Sequence, residues 1–473
     1  MKLVPPSSRT ELGSLACCVV VCGLAAACGR SASLAPKHGE LSAHDAGLSG
    51  RAGDPEISAC QDPAGCGEPV REREVAVARP ALPDQLSFLF ITVDTLRPDL
   101  GYAGYPRAVS PNIDELAKRA TVYEHAYSIS TYTAFAIPPL MASRYPSEMP
   151  RSDRHEVRYF ARNVLLAERL HDAGYRTAAV ASHFLFDRSL GWVDGIERFV
   201  MSGAEGNAPR GAHIDHRHSS RPVADAAIKF LNDPAIVSGP FFIWAHFLDP
   251  HKKYLEHPGF SNFGTDPRAL YDGEIAFTDF HVGRVLKALA ASPAAARTVV
   301  VFTGDHGEAF GEHGFFFHGK EIWDEVVRIP LFIYVPGVEG QRVARRTSAV
   351  DIVPTVLDLA GLPPDPDARG RSLTLEIFGG ALAPGPVLVD QPRNPYYLPK
   401  RGFIDGGHKL HHDMDVDSYK LFDLDKDPGE TTDLAESDPA LLADVQRAYL
   451  AYTSKIVDFV PKRTIPYPSE RAR

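Results

Sequence analysis

The stretch LSFLFITVD, from Leu86 to Asp94, is an almost unbroken apolar run that closes on a carboxylate. A run of this length without apolar/polar alternation predicts a strand buried on both faces, as in a parallel sheet covered by helices. The same pattern returns in YRTAAVAS (Tyr175 to Ser182), FFIWAHFLD (Phe241 to Asp249), TVVVFTGD (Thr298 to Asp305) and IPLFIYVP from Ile329. Helical stretches lie between and after these runs: one opened by Ser110 and Pro111, one capped by Asn163 and ending at Gly174, and others near 223–231, 271–290 and 352–359. Strands alternating with helices predict an α/β sandwich around a mainly parallel sheet. After LPPDPD, shorter runs (PVLVD, RGFIDG, HKLHH, YKLFDL) and a helix over about 439–455 predict a small C-terminal antiparallel subdomain.

The rest of the 473-residue chain sets the context. Lys2 and Arg9 precede an apolar run, LACCVVVCGLAAA, that ends at Cys28. At roughly 20 residues for a membrane span, this run is too short, and it reads as an export signal. Leu-Ala-Ala-Ala before Cys28 resembles a bacterial lipoprotein cleavage box, so the expectation is an exported protein anchored to the cell envelope by a lipid on Cys28, with soluble export the alternative. Residues 29–85 read as a tether, with Cys60 and Cys66 (CQDPAGC) placed for a disulfide in an exported chain. The expected organisation is therefore signal 1–28, tether 29–85, main domain 86–384 and C-terminal α+β subdomain 385–473. A formal charge of -10 with both signs mixed gives no basic face, which argues against nucleic acid as a partner.

Three strand ends carry polar groups: Asp94, then Asp249 with His251, then Asp305 with His306. In open α/β sheets the carboxyl ends of the strands line the ligand crevice, so these tips are expected to converge. Asp94, Asp305 and His306 together offer two hard oxygens and an imidazole, a set suited to one divalent cation. The glycine-punctuated loop GEAFGEHGFFFHGKEIWDEVVRIP brings His313, His318 and Lys320 after that pair. HIDHRHS, with His213, His216 and His218, has neither the helical two-histidine spacing nor a carboxylate tip of a metal site.

Six segments in order, VDTLRPD, SPNIDELAKRATVYEHAYS, LAERLHDAGYRTAAV, FLDPHKKY, GDHGEAFGEHGFFFHGKEIWDEVVRIPL and YKLFDLDKDPGE, resemble the sulfatase family of the alkaline-phosphatase-like superfamily. The resemblance implies the alkaline-phosphatase-like sandwich, a metal at the strand tips, a covalent nucleophile, and side chains that bind the sulfate and protonate the leaving oxygen. By position it implies Asp94, Asp305 and His306 as metal ligands and His251 and Lys320 as the sulfate-binding and acid-base pair. His318 is a supporting candidate. The family resemblance suggests calcium, whereas an imidazole from His306 favours manganese or zinc.

The same resemblance exposes a departure. Where sulfatases carry Cys or Ser in a Cys/Ser-X-Pro-X-Arg motif that is oxidised to formylglycine, counting back from the shared RYP ending finds Thr133, followed by Ala134, Phe135, Ala136 and Ile137. No cysteine follows Cys66, so formylglycine is not expected. Thr133 is then a nucleophile, a metal ligand alone, or neither; Ile137 stands where an arginine or histidine would face it. Arg144 lies past the loop, and Ser130 and Thr131 precede the site. The expected activity is metal-dependent hydrolysis of a small-molecule or glycan sulfate or phosphate ester. The alternatives are a pseudoenzyme that binds such ligands without cleaving them and a phospho-group transferase that uses Thr133.

Overall fold

The computed structural model describes residues 77–154, 156–202, 218–394 and 397–461. The expected export signal, the Cys60/Cys66 pair, Cys28, His213 and His216 lie outside the described residues. Residues 77–85 contain no helix or strand, and Arg79 there is tied to Asp358 at 2.5 Å.

Nine strands form the main sheet: β1 (Ser87–Val93), β2 (Thr121–Tyr127), β3 (Arg176–Ala181), β4 (Arg198–Met201), β5 (Phe241–Phe247), β6 (Thr298–Gly304) and, after a short hairpin of β7 (Ala309–Phe310) and β8 (Phe316–Phe317), β9 (Arg328–Ile329), β10 (Leu331–Tyr334) and β11 (Gln341–Ser348). The order is β11-β2-β10-β6-β1-β5-β3-β4, with β9 on β2. Only the pairings of β9 and β10 are antiparallel.

The apolar runs form central strands because both of their faces are covered. Phe88, Phe90, Phe242, Trp244, Val299 and Val301 enter one core, while Leu89, Ile91, Val93, Ile243, Phe247, Val300 and Phe302 enter the other, in strict alternation along each strand. The second core is closed by helices Pro111–Ala117, Ser220–Leu231 and Pro267–Ala291. Helices Thr133–Ala142, Leu166–Asp172 and Ile352–Leu359 cover the first. That core continues into an antiparallel sheet of β12 (Val387–Gln391), β13 (Lys400–Asp405), β14 (His408–Asp413) and β15 (Ser418–Asp423), on which helix Pro439–Thr453 packs.

Two local expectations change. The helix expected at Asn163 begins at Leu166, where Glu168 accepts the N–H of Leu165 at 2.8 Å; the Asn163 amide donates instead to the carbonyls of Pro150 and Phe160. Asp249 does not join the other strand tips. Its carboxylate accepts the N–H groups of Ser219 and Ser220 at 2.6 and 2.8 Å and so anchors the start of helix Ser220–Leu231. Among the described residues, no helix is long and apolar enough to cross a membrane.

Candidate active site

The parallel register pairs Val93 with Gly304, so the residues that follow, Asp94 and Asp305, leave the sheet side by side. The ladder runs one residue further, with the N–H of Asp94 donating to Phe247 O at 2.9 Å and that of Asp305 to Val93 O at 3.3 Å. The chain then turns at Thr95 with φ of 54°, a left-handed conformation that costs a threonine on the order of 1 kcal/mol or more. Tyr271 of the long helix clamps this turn: its hydroxyl donates to Thr95 O at 2.7 Å and accepts the N–H of Arg97 at 3.0 Å. The turn aims the Thr95 N–H at Asp305 Oδ1, which also accepts the N–H of His306, at 3.1 and 2.8 Å.

These bonds occupy one oxygen of Asp305 and leave the other bare. Asp305 Oδ2 and Asp94 Oδ1 are buried without a hydrogen-bond partner, and neither carboxylate has a lysine or arginine partner among the described residues. His306 directs its Nδ1 to Gly307 O at 3.0 Å, which places Nε2 as the lone-pair nitrogen, 3.8 Å from Asp94 Oδ1 and 3.5 Å from Asp305 Oδ2. Donor atoms of the three residues all lie within 4.8 Å of one another. Two orphaned carboxylate oxygens facing an imidazole nitrogen fit a divalent cation.

The electrostatics carry the same strain. Burial pushes Asp305 up to about 7, and the charge of Asp94 adds to the push. Burial acts on Asp94 in the same direction, but the hydrogen bond from His246 and the fields of His251 and His306 outweigh it and hold Asp94 well below the usual carboxylate range. The two carboxyls therefore titrate as a pair in which Asp94 is the ionised member. Burial also lowers His306, keeping its imidazole neutral, the form that ligates metals.

Thr133 is the first residue of helix Thr133–Ala142, and this places it in the same cluster. Its Oγ1 is 3.1 Å from His306 Nε2 and 3.4 Å from Asp94 Oδ2, with the residue 5% exposed. Two features hold the segment still. Ser130 and Thr131 both donate to Gln391 Oε1 of β12, at 2.8 and 3.0 Å, so their hydroxyls serve the loop and not the cluster. Pro138, inside the helix, cannot donate to Ala134 O; the Tyr159 hydroxyl takes that carbonyl at 2.8 Å. Ile137 is fully buried, and Arg144 is paired with Asp367 at 3.0 Å.

Imidazoles extend from the cluster toward solvent. The His306 ring lies 4.5 Å from that of His318, which lies 5.0 Å from that of His251. His251 makes a 2.8 Å contact from Nδ1 to Lys252 O. Lys320 is exposed on the loop after His318. Two groups escaped the sequence reading. Glu308 is fully buried with Oε1 3.1 Å from His318 Nδ1, and burial raises it to about 7. His246, one residue before the end of β5, directs Nε2 to within 3.6 Å of Asp94 Oδ2. The signal for Glu308 was a carboxylate two residues past His306; for His246 there was none. Two cavities, of 720 and 520 Å³ around Arg151, are lined by none of these residues.

A mainly parallel sheet with metal-competent strand tips and a small antiparallel sheet defines an alkaline-phosphatase-like α/β fold. A 2-O GAG sulfatase of solved structure has this fold, with a TM-score of 0.68 at 21% identity over 82% of this chain and 96% of the other. So has the phosphonate monoester hydrolase of Agrobacterium radiobacter, with a TM-score of 0.65 at 21% identity over 79% and 96%. Among sequence relatives, a choline-sulfatase of Rhizobium meliloti is 25% identical over 428 residues, 74% of this chain and 82% of that protein. The sulfatase family model matches residues 87–362, and the chain belongs to the sulfatase family, a family of sulfuric ester hydrolases.

Proposed function

We propose that the protein is a metal-dependent hydrolase of a sulfate or phosphate ester in which unmodified Thr133 is the nucleophile. The observation that supports this most is the Thr133 hydroxyl standing 3.1 and 3.4 Å from the atoms of His306 and Asp94. Asp94, Asp305 and His306 would hold the cation. When bound, the cation supplies a lowered hydroxyl pKa and neutralises charge on the transferring group.

The chain's own groups account for the protons. Thr133 Oγ1, its proton lost to solvent as its pKa falls, forms a bond to the sulfur or phosphorus as the bond from that atom to the ester oxygen breaks. The departing oxygen receives a proton from His251, and Lys320 meets the transferring anion from the loop. Water then attacks the threonine ester, returning one proton to His251, while the bond from Thr133 Oγ1 to the sulfur or phosphorus breaks and the hydroxyl regains its proton from solvent. Export with lipid attachment at Cys28 accompanies this reading; palmitate labelling that survives Cys28→Ala would remove it.

The test is a panel of aryl sulfate, phosphate and phosphonate esters, assayed with chelator and with added manganese, zinc or calcium. Thr133→Ala should lower kcat at least about 1000-fold, while Thr133→Ser retains part of it. Turnover unchanged in Thr133→Ala rejects the assigned nucleophile. Calorimetric binding of a sulfated ligand without turnover in the wild type identifies a binding protein instead. The relatives differ in the esters their names specify, choline sulfate for one and phosphonate monoesters for another, so the panel spans both chemistries.

A further inference from the structure

A second cluster of carboxylates lies where the turn Asp324–Val327 meets β14 and the segment after β15. Lys409 Nζ, fully buried, meets Asp324 Oδ1 at 2.8 Å and Glu430 Oε1 at 2.9 Å. His411 Nε2 shares Glu430 Oε1 at 2.8 Å, and Glu430 Oε2 accepts the N–H of Asp324 at 2.6 Å. Glu325 has no lysine or arginine partner among the described residues. Its side chain is 8% exposed, its Oε1 is buried without a hydrogen-bond partner, and its Oε2 lies 3.8 Å from His313 Nε2. The His313 ring is held flat on Trp323, with centroids 3.9 Å apart and planes 7° apart, which fixes the direction of that nitrogen.

Charge decides between an acid patch and a site. Asp324, Glu325 and Glu430 bring three carboxylates together, and Lys409 is the one permanent cation paired with them among the described residues. Lys409 offsets one of the two carboxylates it touches, so one negative charge is left over, and Glu325 adds a second whenever it is ionised; burial, which raises Glu325 to about 7, makes that second charge costly without a cation. Donor atoms of His313, Glu325 and Glu430 lie within 4.8 Å of one another, close enough to share one ion. We propose that His313, Glu325 and Glu430 hold a second divalent cation, separate from the one at Asp94, Asp305 and His306. One imidazole with two carboxylates selects zinc or manganese over calcium, with water completing the shell.

The ion's role is to brace the catalytic loop. The carbonyls of Glu325 and Val326 accept the N–H groups of Glu308 and Gly307, both at 3.0 Å, so the backbone that follows His306 hangs on the segment the ion would fix. It also ties that segment to the small sheet through Glu430 and Lys409.

The experiment is metal counting on the full-length protein, stripped with chelator, reloaded with manganese or zinc, desalted and analysed by mass spectrometry. Two ions per chain are expected in the wild type and one in Glu325→Gln, in His313→Phe, which keeps a ring on Trp323, and in Asp305→Asn. One ion in the wild type that persists in Glu325→Gln and disappears in Asp305→Asn overturns this proposal and leaves the active-site reading intact. The converse pattern, an ion lost only in Glu325→Gln, overturns the active-site metal instead. If a variant does not fold, anomalous diffraction from manganese-loaded wild-type crystals decides. A peak about 2.0–2.2 Å from His313 Nε2 is expected, and its absence under full loading rejects the site.

Discussion

At the scale of single residues, one hydroxyl decides how Asp94 is held. Thr92 Oγ1 accepts the Trp244 indole N–H at 2.9 Å and lies 2.8 Å from His246 Nδ1. With the indole proton already received, Thr92 gives its own proton to Nδ1, so the ring proton of His246 sits on Nε2 and faces Asp94 Oδ2. His246 is thus a positioning residue for a candidate metal ligand. His246→Phe should weaken metal affinity about 10–100-fold with the ester activity recoverable at high metal, as read from activity against metal concentration. Loss that excess metal does not rescue would mean that His246 acts on substrate or fold. Nothing in FFIWAHF marks this histidine, because its facing Asp94 depends on the pairing of Thr92 with His246 across two strands 154 residues apart. Asp94, Asp305 and His306 were legible for the opposite reason: each ends a run whose burial is written in the run itself.

At the scale of elements, the long helix Pro267–Ala291 carries a carboxyl that should show itself in the pH dependence of stability. Glu274 is buried, accepts the N–H of Leu255, and is paired with His257, so it fixes the loop that follows His251. Burial raises it to about 10, with the charge of Asp249 adding to the effect. A folded-state pKa above the unfolded value means that the native state holds the proton. The contribution is then complete below the unfolded pKa of about 4.5 and is lost as pH rises toward 10. Glu274→Gln preserves both hydrogen bonds without the titration. Wild type should lose stability relative to it steadily between about pH 5 and pH 9 in urea melts, and a gap independent of pH would contradict the buried neutral acid. Other elements were less legible for physical reasons. β11 is an edge strand of arginines and other polar residues, since an edge exposes one face to water and blunts aggregation with charge. Helix Thr133–Ala142 runs through two prolines, which local propensity forbids and which burial, with Tyr159 on the freed carbonyl, permits.

At the scale of the whole molecule, the question is whether the small sheet is an independent unit or part of the catalytic core. Leu388, Phe403, Leu410 and Leu421 from its four strands lie in one cluster with Tyr145, Met149 and Val350 of the main body, all essentially inaccessible to water. Polar ties reinforce the seam: Arg401 Nε meets Asp390 at 2.9 Å, Asp390 accepts the N–H of Ser147 at 2.8 Å, and Gln391 receives both hydroxyls of the loop before Thr133. Each buried Leu or Phe stabilises by about 1.5–3 kcal/mol over exposure. Losing four is comparable with a whole domain's stability of about 5–15 kcal/mol. A chain ending at residue 384 should therefore fail to give a cooperative melt, and in the full protein the two sheets should unfold together. Trp323, against the small sheet, and Trp244, in the main sheet, report the two regions separately in single-tryptophan variants. Coincident urea midpoints are expected; midpoints separated beyond error would make the small sheet a distinct folding unit and detach the loop of Thr133 from its stability.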